Sequence, residues 1–230
     1  MIDFHSHILP SIDDGSKSID ESLQLLKILK RQGIDKVVAT PHFYANHNSI
    51  EEFLEKRRLS YESLVPFLTD DLPQIRLGAE VKYYEGISRL ENLNKLCVEG
   101  SKLLLLEMSM RKWTAYTLRE LTELASQGRV TVVLAHIERY LRFQPFDLIY
   151  ELVDSGILIQ ANADFFLSFG SRHKALSMLN RNLIHFIGSD CHDLINRPPK
   201  MMDAISYIKR KAGDDMLLQM NHFADTFFIK

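Results

Sequence analysis

The chain is poor in cysteine, in net charge and in long apolar runs, and each shortage excludes a class of protein. Its 230 residues include only Cys97 and Cys191. Two cysteines make no disulfide framework and suit a reducing cytoplasm. Lys and Arg total 28 against 30 Asp and Glu, a net charge of −2. Global charge therefore recommends neither nucleic acid nor an anionic membrane as partner. The longest aliphatic run, residues 103–106, is far too short to insert in a membrane. Met1 leads into Ile2-Asp3-Phe4 with no basic region and long apolar segment, so no signal peptide is expected and the expected location is cytoplasmic. No glycine-rich phosphate loop follows an apolar run, which argues against the usual open-sheet nucleotide folds. Internal repeats, low-complexity tracts and linkers are also missing.

What remains is an ordinary globular composition, 46% hydrophobic and 25% charged, which favours one domain spanning 1–230. Short apolar runs alternate with amphipathic stretches. Strands are expected over 2–4, 36–40, 74–80, 101–107, 130–136, 156–161 and 184–189. Helices are expected over 18–32, 49–69 (broken or ended near Pro66), 86–97, 114–127, 145–155 and 171–182, and again from Lys200 onward. Roughly seven βα units with near-continuous apolar strands argue α/β, with a closed parallel barrel favoured over an open sheet.

The reactive residues fall at the carboxyl-terminal ends of these strands. His5 and His7, at i and i+2 on an extended chain, point the same way and can grip one metal ion. His42 follows the second strand, Glu80 ends the third, Glu107 the fourth and His136 the fifth. Asp190 and His192 follow the seventh. A parallel barrel gathers such ends on one face, where its active site lies. Imidazole and carboxylate without thiolate suit manganese, iron or zinc. With Asp14 the candidate ligands number more than one ion needs, so two or three ions are expected. Such ions clamp a phosphoryl group and acidify water. Asp13 and Asp14 compete for one position; Asp14 is preferred, Gly15 permits the turn, and Asp13 is left as an outer partner or cap. Arg139 and Arg197 are candidates to hold phosphate, with a surface salt bridge as the plain alternative for each.

Together, His5-Ser-His7-Ile-Leu-Pro-Ser-Ile-Asp-Asp14-Gly, Ala39-Thr-Pro-His42, Gly78-Ala-Glu80, Glu107, Ala135-His136-Ile-Glu-Arg139-Tyr and Gly188-Ser-Asp190-Cys-His192 resemble the PHP (polymerase and histidinol phosphatase) superfamily. Within it they look like the bacterial manganese-dependent protein-tyrosine phosphatases of the capsule-biosynthesis CpsB/YwqE type. The resemblance spans residues 2–200, and the loop 110–113 is its least typical stretch. It implies a distorted seven-stranded (β/α)7 barrel with a trinuclear site. One ion would be held by His5, His7, Glu80 and Asp190. A second would be held by Glu80, Glu107 and His136, and a third by Asp14, His42 and His192. Arg139 and Arg197 would contact phosphate. The implied reaction is hydrolysis of phosphotyrosine by a metal-activated hydroxide, on a bacterial tyrosine kinase that governs capsule or exopolysaccharide synthesis. Manganese is the implied metal, ahead of iron, zinc, cobalt or magnesium. A metal-bound water or His42 is the candidate general acid. An oligomer stays open. The competing readings are a phosphoesterase acting on a small ester such as histidinol phosphate, and a metal-binding scaffold without turnover.

Cys191 to Arg197 also matches C-x5-R, the pattern of cysteine-dependent tyrosine phosphatases. The intervening residues contain no glycine, acidic Asp190 and Asp193 flank the cysteine, and prolines follow the arginine. Nothing there would depress a thiol pKa. His47, His173, His185 and His222 lack strand-end placement. Phe43, Tyr44, Tyr83, Tyr84 and Trp113 could wall a phenyl ring or simply pack the rim. The apolar tail 223–229 is expected to dock on the barrel.

Overall fold

The structure, a computed structural model, describes residues 1–227. In chain order its elements are β1 (Ile2–Ser6), α1 (Ile19–Arg31), β2 (Lys36–Ala39), β3 (His42–Phe43), α2 (Ile50–Leu64), β4 (Gln74–Leu77), β5 (Glu80–Lys82), β6 (Leu103–Glu107), α3 (Ala115–Ser126) and β7 (Thr131–Leu134). They continue with α4 (Phe146–Asp154), β8 (Leu158–Asn162), α5 (Ala163–Leu167), α6 (Arg172–Asn180), β9 (Phe186–Gly188), α7 (Met201–Ala212) and α8 (Asp214–Thr226). Local chemistry starts the helices. The Ser18, Ser49 and Thr114 side chains each accept an N–H of the first turn, and Glu52 completes a capping box with Ser49. Each such cap stabilises by about 1 kcal/mol.

All strand pairs are parallel. One sheet runs β1-β2-β4 and another β3-β5-β6-β7-β8-β9. The two are barely separate. Only Thr40-Pro41 divides β2 from β3, and only Gly78-Ala79 divides β4 from β5. Hydrogen bonds cross both breaks: Gly78 N–H donates to Ala39 O at 2.8 Å and Glu80 N–H to Pro41 O at 3.0 Å. At the other edge, Asp190 N–H donates to His5 O at 2.8 Å and His7 N–H to Cys191 O at 2.9 Å. The outcome is an α/β fold with a curled parallel sheet.

Several expected elements differ. The strands expected over 36–40 and 74–80 are shorter, and each is followed by a second short strand. Pro41 has no N–H for the ladder. At Gly78 a Cβ would lie 3.3 Å from both Val38 Cγ1 and Val98 Cγ2, so the chain packs there as bare backbone. Glu80 consequently opens β5 rather than closing its strand. No helix of α type forms over 86–97. Two 3-10 turns stand there, Ile87–Arg89 and Leu93–Leu96, each entered through a left-handed residue, Gly86 (φ 95°) and Asn92 (φ 59°). Continuous helix cannot pass such a residue. Helix α2 stops at Leu64, with a 3-10 turn at Val65-Pro66-Phe67. Gly213 divides the tail into α7 and α8, and α5 was not anticipated.

The inner face of the curl carries Phe4, Val38, Leu103, Leu105, Val133, Ala135 and Phe186, all buried. Phe4 and Phe186 stack at 4.0 Å. Phe223 and Phe227 of the tail pack against this cluster, at 5.6 and 6.0 Å from Phe186. Residues 228 and 229 lie outside the described residues. A larger apolar cluster, including Leu25, Leu29, Leu104, Leu106, Val132 and Leu134, fills the space between sheet and helices. No helix among the described residues is long and apolar enough to cross a membrane.

Candidate metal centre

Above the apolar inner layer, the same inner face turns ionisable. Strand β1 bulges between Asp3, which pairs with Val37, and Ser6, which pairs with Ala39. The extra residue lets Phe4 and then His5 both serve the interior, a common use of bulges beside functional sites. Gly188 makes room for the imidazole: a Cβ there would lie 2.5 Å from His5 Cβ. A Cβ on Gly15 would lie 2.3 Å from His7 O, so only glycine lets the 10–15 turn cross β1 so closely. His136 (φ 35°) and Asp190 (φ 51°) are left-handed non-glycine residues just beyond their strands. That costly backbone aims both side chains inward.

Glu80 is the hub. Its Oε2 lies 3.3 Å from His5 Nε2, 3.3 Å from His7 Nε2 and 3.0 Å from His42 Nδ1, and its Oε1 lies 2.8 Å from His136 Nε2. Asp190 Oδ1 stands 3.5 and 3.6 Å from the His5 and His7 nitrogens. Asp14 Oδ1 stands 3.3 Å from His42 Nε2 and 3.5 Å from His192 Nε2. Glu107 Oε1 is 3.7 Å from His136 Nε2. Three sets have ligand atoms close enough to share an ion: His7, Asp14, His42 and His192; His5, His7 and Asp190; His42, Glu80 and Glu107.

The outward ring nitrogens are held by other groups. His7 Nδ1 lies 2.7 Å from Asp13 Oδ2, His5 Nδ1 3.2 Å from Gln160 Oε1, His136 Nδ1 3.1 Å from the Tyr140 hydroxyl and His192 Nδ1 3.0 Å from Asp190 O. Carboxylate, amide and carbonyl oxygens accept a hydrogen bond from Nδ1–H, which leaves the Nε2 lone pairs of His5, His7 and His192 facing the cluster. Two such lone pairs, His5 and His7 Nε2, stand 3.2 Å apart. His42 Nδ1 and His192 Nε2 are buried and make no well-aligned hydrogen bond, although carboxylate oxygens of Glu80 and Asp14 stand beside them. Converging lone pairs, poorly bonded nitrogens and buried carboxylates fit divalent cations.

The buried groups shift one another's protonation. Burial opposes a charge on His7, but hydrogen bonds to Asp13 and Glu80 outweigh it and lift its pKa to about 10. Burial likewise works against ionised Asp190, yet the charges of His5, His7 and Arg139 hold it well below the usual carboxylate range. For His192, burial and then the charge of His7 lower the pKa to about 4.

Asp13 is fully used. Besides His7 it accepts His42 N–H at 3.0 Å and Gly15 N–H at 2.9 Å. Asp14 instead presents its carboxylate to two imidazoles. Arg139 Nη2 and Arg197 Nη2 both donate to Asp190 Oδ2, the latter at 2.8 Å, beside Asn162 Nδ2 at 2.9 Å. Asn162, Asn196 and the two arginines line a cavity of about 90 Å³ over that carboxylate.

Four groups here escaped sequence reading. Gln160 and Asn162 alternate on β8 toward the site; their signal was the i, i+2 polar spacing at the end of an apolar strand. Lys82, two residues after Glu80, pairs with Glu107 at 3.0 Å. Tyr140 stands four residues after His136. Of the expected aromatic wall, Tyr44 faces the site, with its ring 5.3 Å from His42. Phe43 packs on Phe53, the Tyr83 hydroxyl donates to Glu120, Tyr84 packs on the core and Trp113 packs on Tyr140. His185 Nδ1 accepts Ile159 N–H; neither it nor His47, His173 or His222 belongs to the three sets. Cys191 is fully buried, and burial raises its thiol pKa far above neutrality, the opposite of a nucleophile.

Fold and site define an α/β protein with a histidine and carboxylate cluster at the carboxyl-terminal ends of a curled parallel sheet. The model of the capsular polysaccharide synthesis family CpsB/CapC matches residues 1–225, and the chain belongs to that family. It is 35% identical over 230 residues to the tyrosine-protein phosphatase CpsB of Streptococcus pneumoniae, covering 93% of this chain and 91% of that one. With the tyrosine-protein phosphatase YwqE of Bacillus subtilis the identity is 28% over 234 residues, covering 98% and 90%. A solved structure described under YwqE from Bacillus subtilis and CpsB from Streptococcus pneumoniae, metal-dependent tyrosine phosphatases, superposes with a TM-score of 0.83 at 24% identity. It covers 99% of this chain and 94% of that one, and the fold is shared.

Proposed function

We propose that this chain is a metal-dependent protein-tyrosine phosphatase, a phosphoric monoester hydrolase whose substrate is a bacterial tyrosine kinase of capsule or exopolysaccharide synthesis. The carrying observation is Glu80 among four imidazoles, with two arginines converging on the adjacent Asp190. Family membership and phosphatase relatives support the same reading. We read residues 1–230 as one metallophosphatase domain acting in the cytoplasm. Its nine strands are read as seven staves of a distorted (β/α)7 barrel of PHP type. The hydrogen bonds across the two strand breaks and between β1 and the end of β9 support that reading.

His5, His7, Asp14, His42, Glu80, Glu107, His136, Asp190 and His192 are the metal ligands in this reading. Manganese is preferred among divalent ions for a nitrogen and oxygen donor set without thiolate. When bound, the ions supply an acidified water and neutralise charge on the entering and leaving oxygens. Asp13, Gln160 and Tyr140 hold the imidazoles in orientation. Arg139 and Arg197 leave Asp190 to bind the phosphoryl oxygens with paired N–H donors, a cationic clamp on the charge spread over those oxygens in the transition state. Tyrosine leaves with a pKa of about 10, so little proton donation is required. His42 has carboxylate oxygens near both ring nitrogens, which favours a ligand role over that of a free acid.

The test is kcat/KM for phosphotyrosine peptides and for histidinol phosphate, with manganese and after chelation. Preference for the peptides, lost on chelation and regained with manganese, is expected. Full turnover by a metal-free preparation sinks the metal reading. A higher kcat/KM for histidinol phosphate moves the assignment to small esters.

A further inference from the structure

Next to the two-arginine cavity lies a second, larger groove of about 410 Å³. The two share Asp164, and successive residues divide between them: Arg139 lines the cavity and Glu138 the groove. The groove runs between the 138–142 turn and the segment joining α5 to α6. Phe165 and Gly170 lie along it, and Phe169, 82% exposed, stands beside it in sequence. Its carboxylates are already engaged. Asp164 pairs with Lys200 at 2.9 Å, and Glu138 Oε2 accepts Asn162 N–H. Its cations are not. Arg142 rests over the Phe143 ring at 4.6 Å, and neither it nor Lys174 forms an ion pair among the described residues. The groove thus offers two unpaired positive charges, continuous with the place where phosphate would sit.

We propose that this groove is a substrate subsite that receives an acidic side chain neighbouring the phosphotyrosine, with Arg142 and Lys174 as its recognising groups. The inference rests on the phosphatase reading and deepens it. Chain leaving the two-arginine cavity on the Asp164 side would pass over Phe165 and between the two cations. A carboxylate there completes ion pairs that the protein itself leaves open. Arg142 and Lys174 touch no reacting atom; they select among phosphotyrosine proteins.

The experiment uses the full-length manganese-loaded protein and two phosphotyrosine peptides, one flanked on both sides by Glu and its twin flanked by Gln. Para-nitrophenyl phosphate, which has no flank, reports on the phosphatase reading alone. Wild type is expected to favour the Glu peptide in kcat/KM by about fivefold at low salt, the scale of two exposed ion pairs. That preference should shrink in strong salt. In the Arg142→Gln, Lys174→Gln double variant the ratio between the peptides should fall to about one, and in the Arg142→Glu, Lys174→Glu variant it should invert, as exposed pairs of like charge repel. The ratio is internally controlled, so a general loss of activity does not imitate the effect. Turnover of para-nitrophenyl phosphate with equal kcat/KM for the two peptides overturns the subsite alone, as does a double variant that keeps the preference. No turnover of any of the three substrates overturns the phosphatase reading and the subsite with it.

Discussion

Two layers share the inner face of one curled sheet and are built on opposite principles. The lower layer, Phe4, Val38, Leu105, Val133 and Phe186, is dry hydrocarbon in close contact. The upper layer, nearer the carboxyl-terminal ends of the strands, holds His5, His7, Glu80, Glu107 and Asp190, also buried. Burying apolar area stabilises the fold. Burying ionisable groups costs stability unless an opposite charge compensates. The lower layer therefore holds the protein together, while the upper layer stores unsatisfied charge that cations can neutralise. Substitutions in the two layers should separate stability from metal binding.

The largest effect is expected in the upper layer. Glu80→Ala removes the carboxylate that faces four imidazoles and should reduce phosphatase turnover by at least about a thousandfold, since it takes away both ion and clustered charge. Elemental analysis should find fewer bound ions per chain; an unchanged ion count would break the contrast between layers. In the lower layer, Phe4→Ala should cost about 3–5 kcal/mol of stability by denaturant unfolding, the usual result for a buried aromatic. Its ion count should stay that of the parent. Arg197→Ala should lower kcat/KM by about a hundredfold, as for loss of one preorganised donor to transition-state charge, with the ion count unchanged.

A pH experiment sharpens the contrast outside both layers. Burial lowers the pKa of His185 from 6.5 to about 4, and its Nδ1 must stay unprotonated to accept Ile159 N–H. A depressed folded pKa means that the unfolded chain takes up the proton first. Stability is complete above about pH 6.5 and falls as pH drops toward 4, by about 2 kcal/mol at pH 5. Chemical unfolding at pH 7 and pH 5 should show that loss in the parent and a smaller one in His185→Gln; equal losses would refute the assignment. The smallest effect is Tyr140→Phe. It removes the hydroxyl partner of His136 Nδ1 and should weaken metal affinity by about tenfold by calorimetric titration, the lower end for such outer partners. Unchanged affinity would mean that the Tyr140 hydroxyl serves the fold, where it accepts Met108 N–H, and not the metal centre.

Much of the site was readable in the chain because a parallel sheet has a simple rule. Every strand enters from the same side, so His5, His7, Glu107, His136, Asp190 and His192 needed only to lie near strand ends to meet. The preference for Asp14 over Asp13 rests on the Gly15 turn alone, and the geometry behind it lies outside the sequence. The choice depends on which one the Gly15 turn lays against His7. Gln160, Asn162, Lys82 and Tyr140 were missed because polar residues at strand ends and in turns usually meet water; here the curl buries or half-buries them beside the cluster. The expected 86–97 helix failed because Gly86 and Asn92 adopt left-handed backbone, which apolar spacing does not reveal.

By itself, then, the order of residue types determined an α/β chain with imidazoles and carboxylates delivered to one end of its strands. Hydrophobic periodicity sets strands and helices, and parallel pairing sets the common end. Only the tertiary structure decided that Glu80 is the centre of that gathering. The strand break at Gly78-Ala79, the β1 bulge before Ser6 and the left-handed turns at His136 and Asp190 set where each side chain points. Such local departures from regular backbone are tolerated through packing by residues distant in the chain, and short-range patterns carry no record of them.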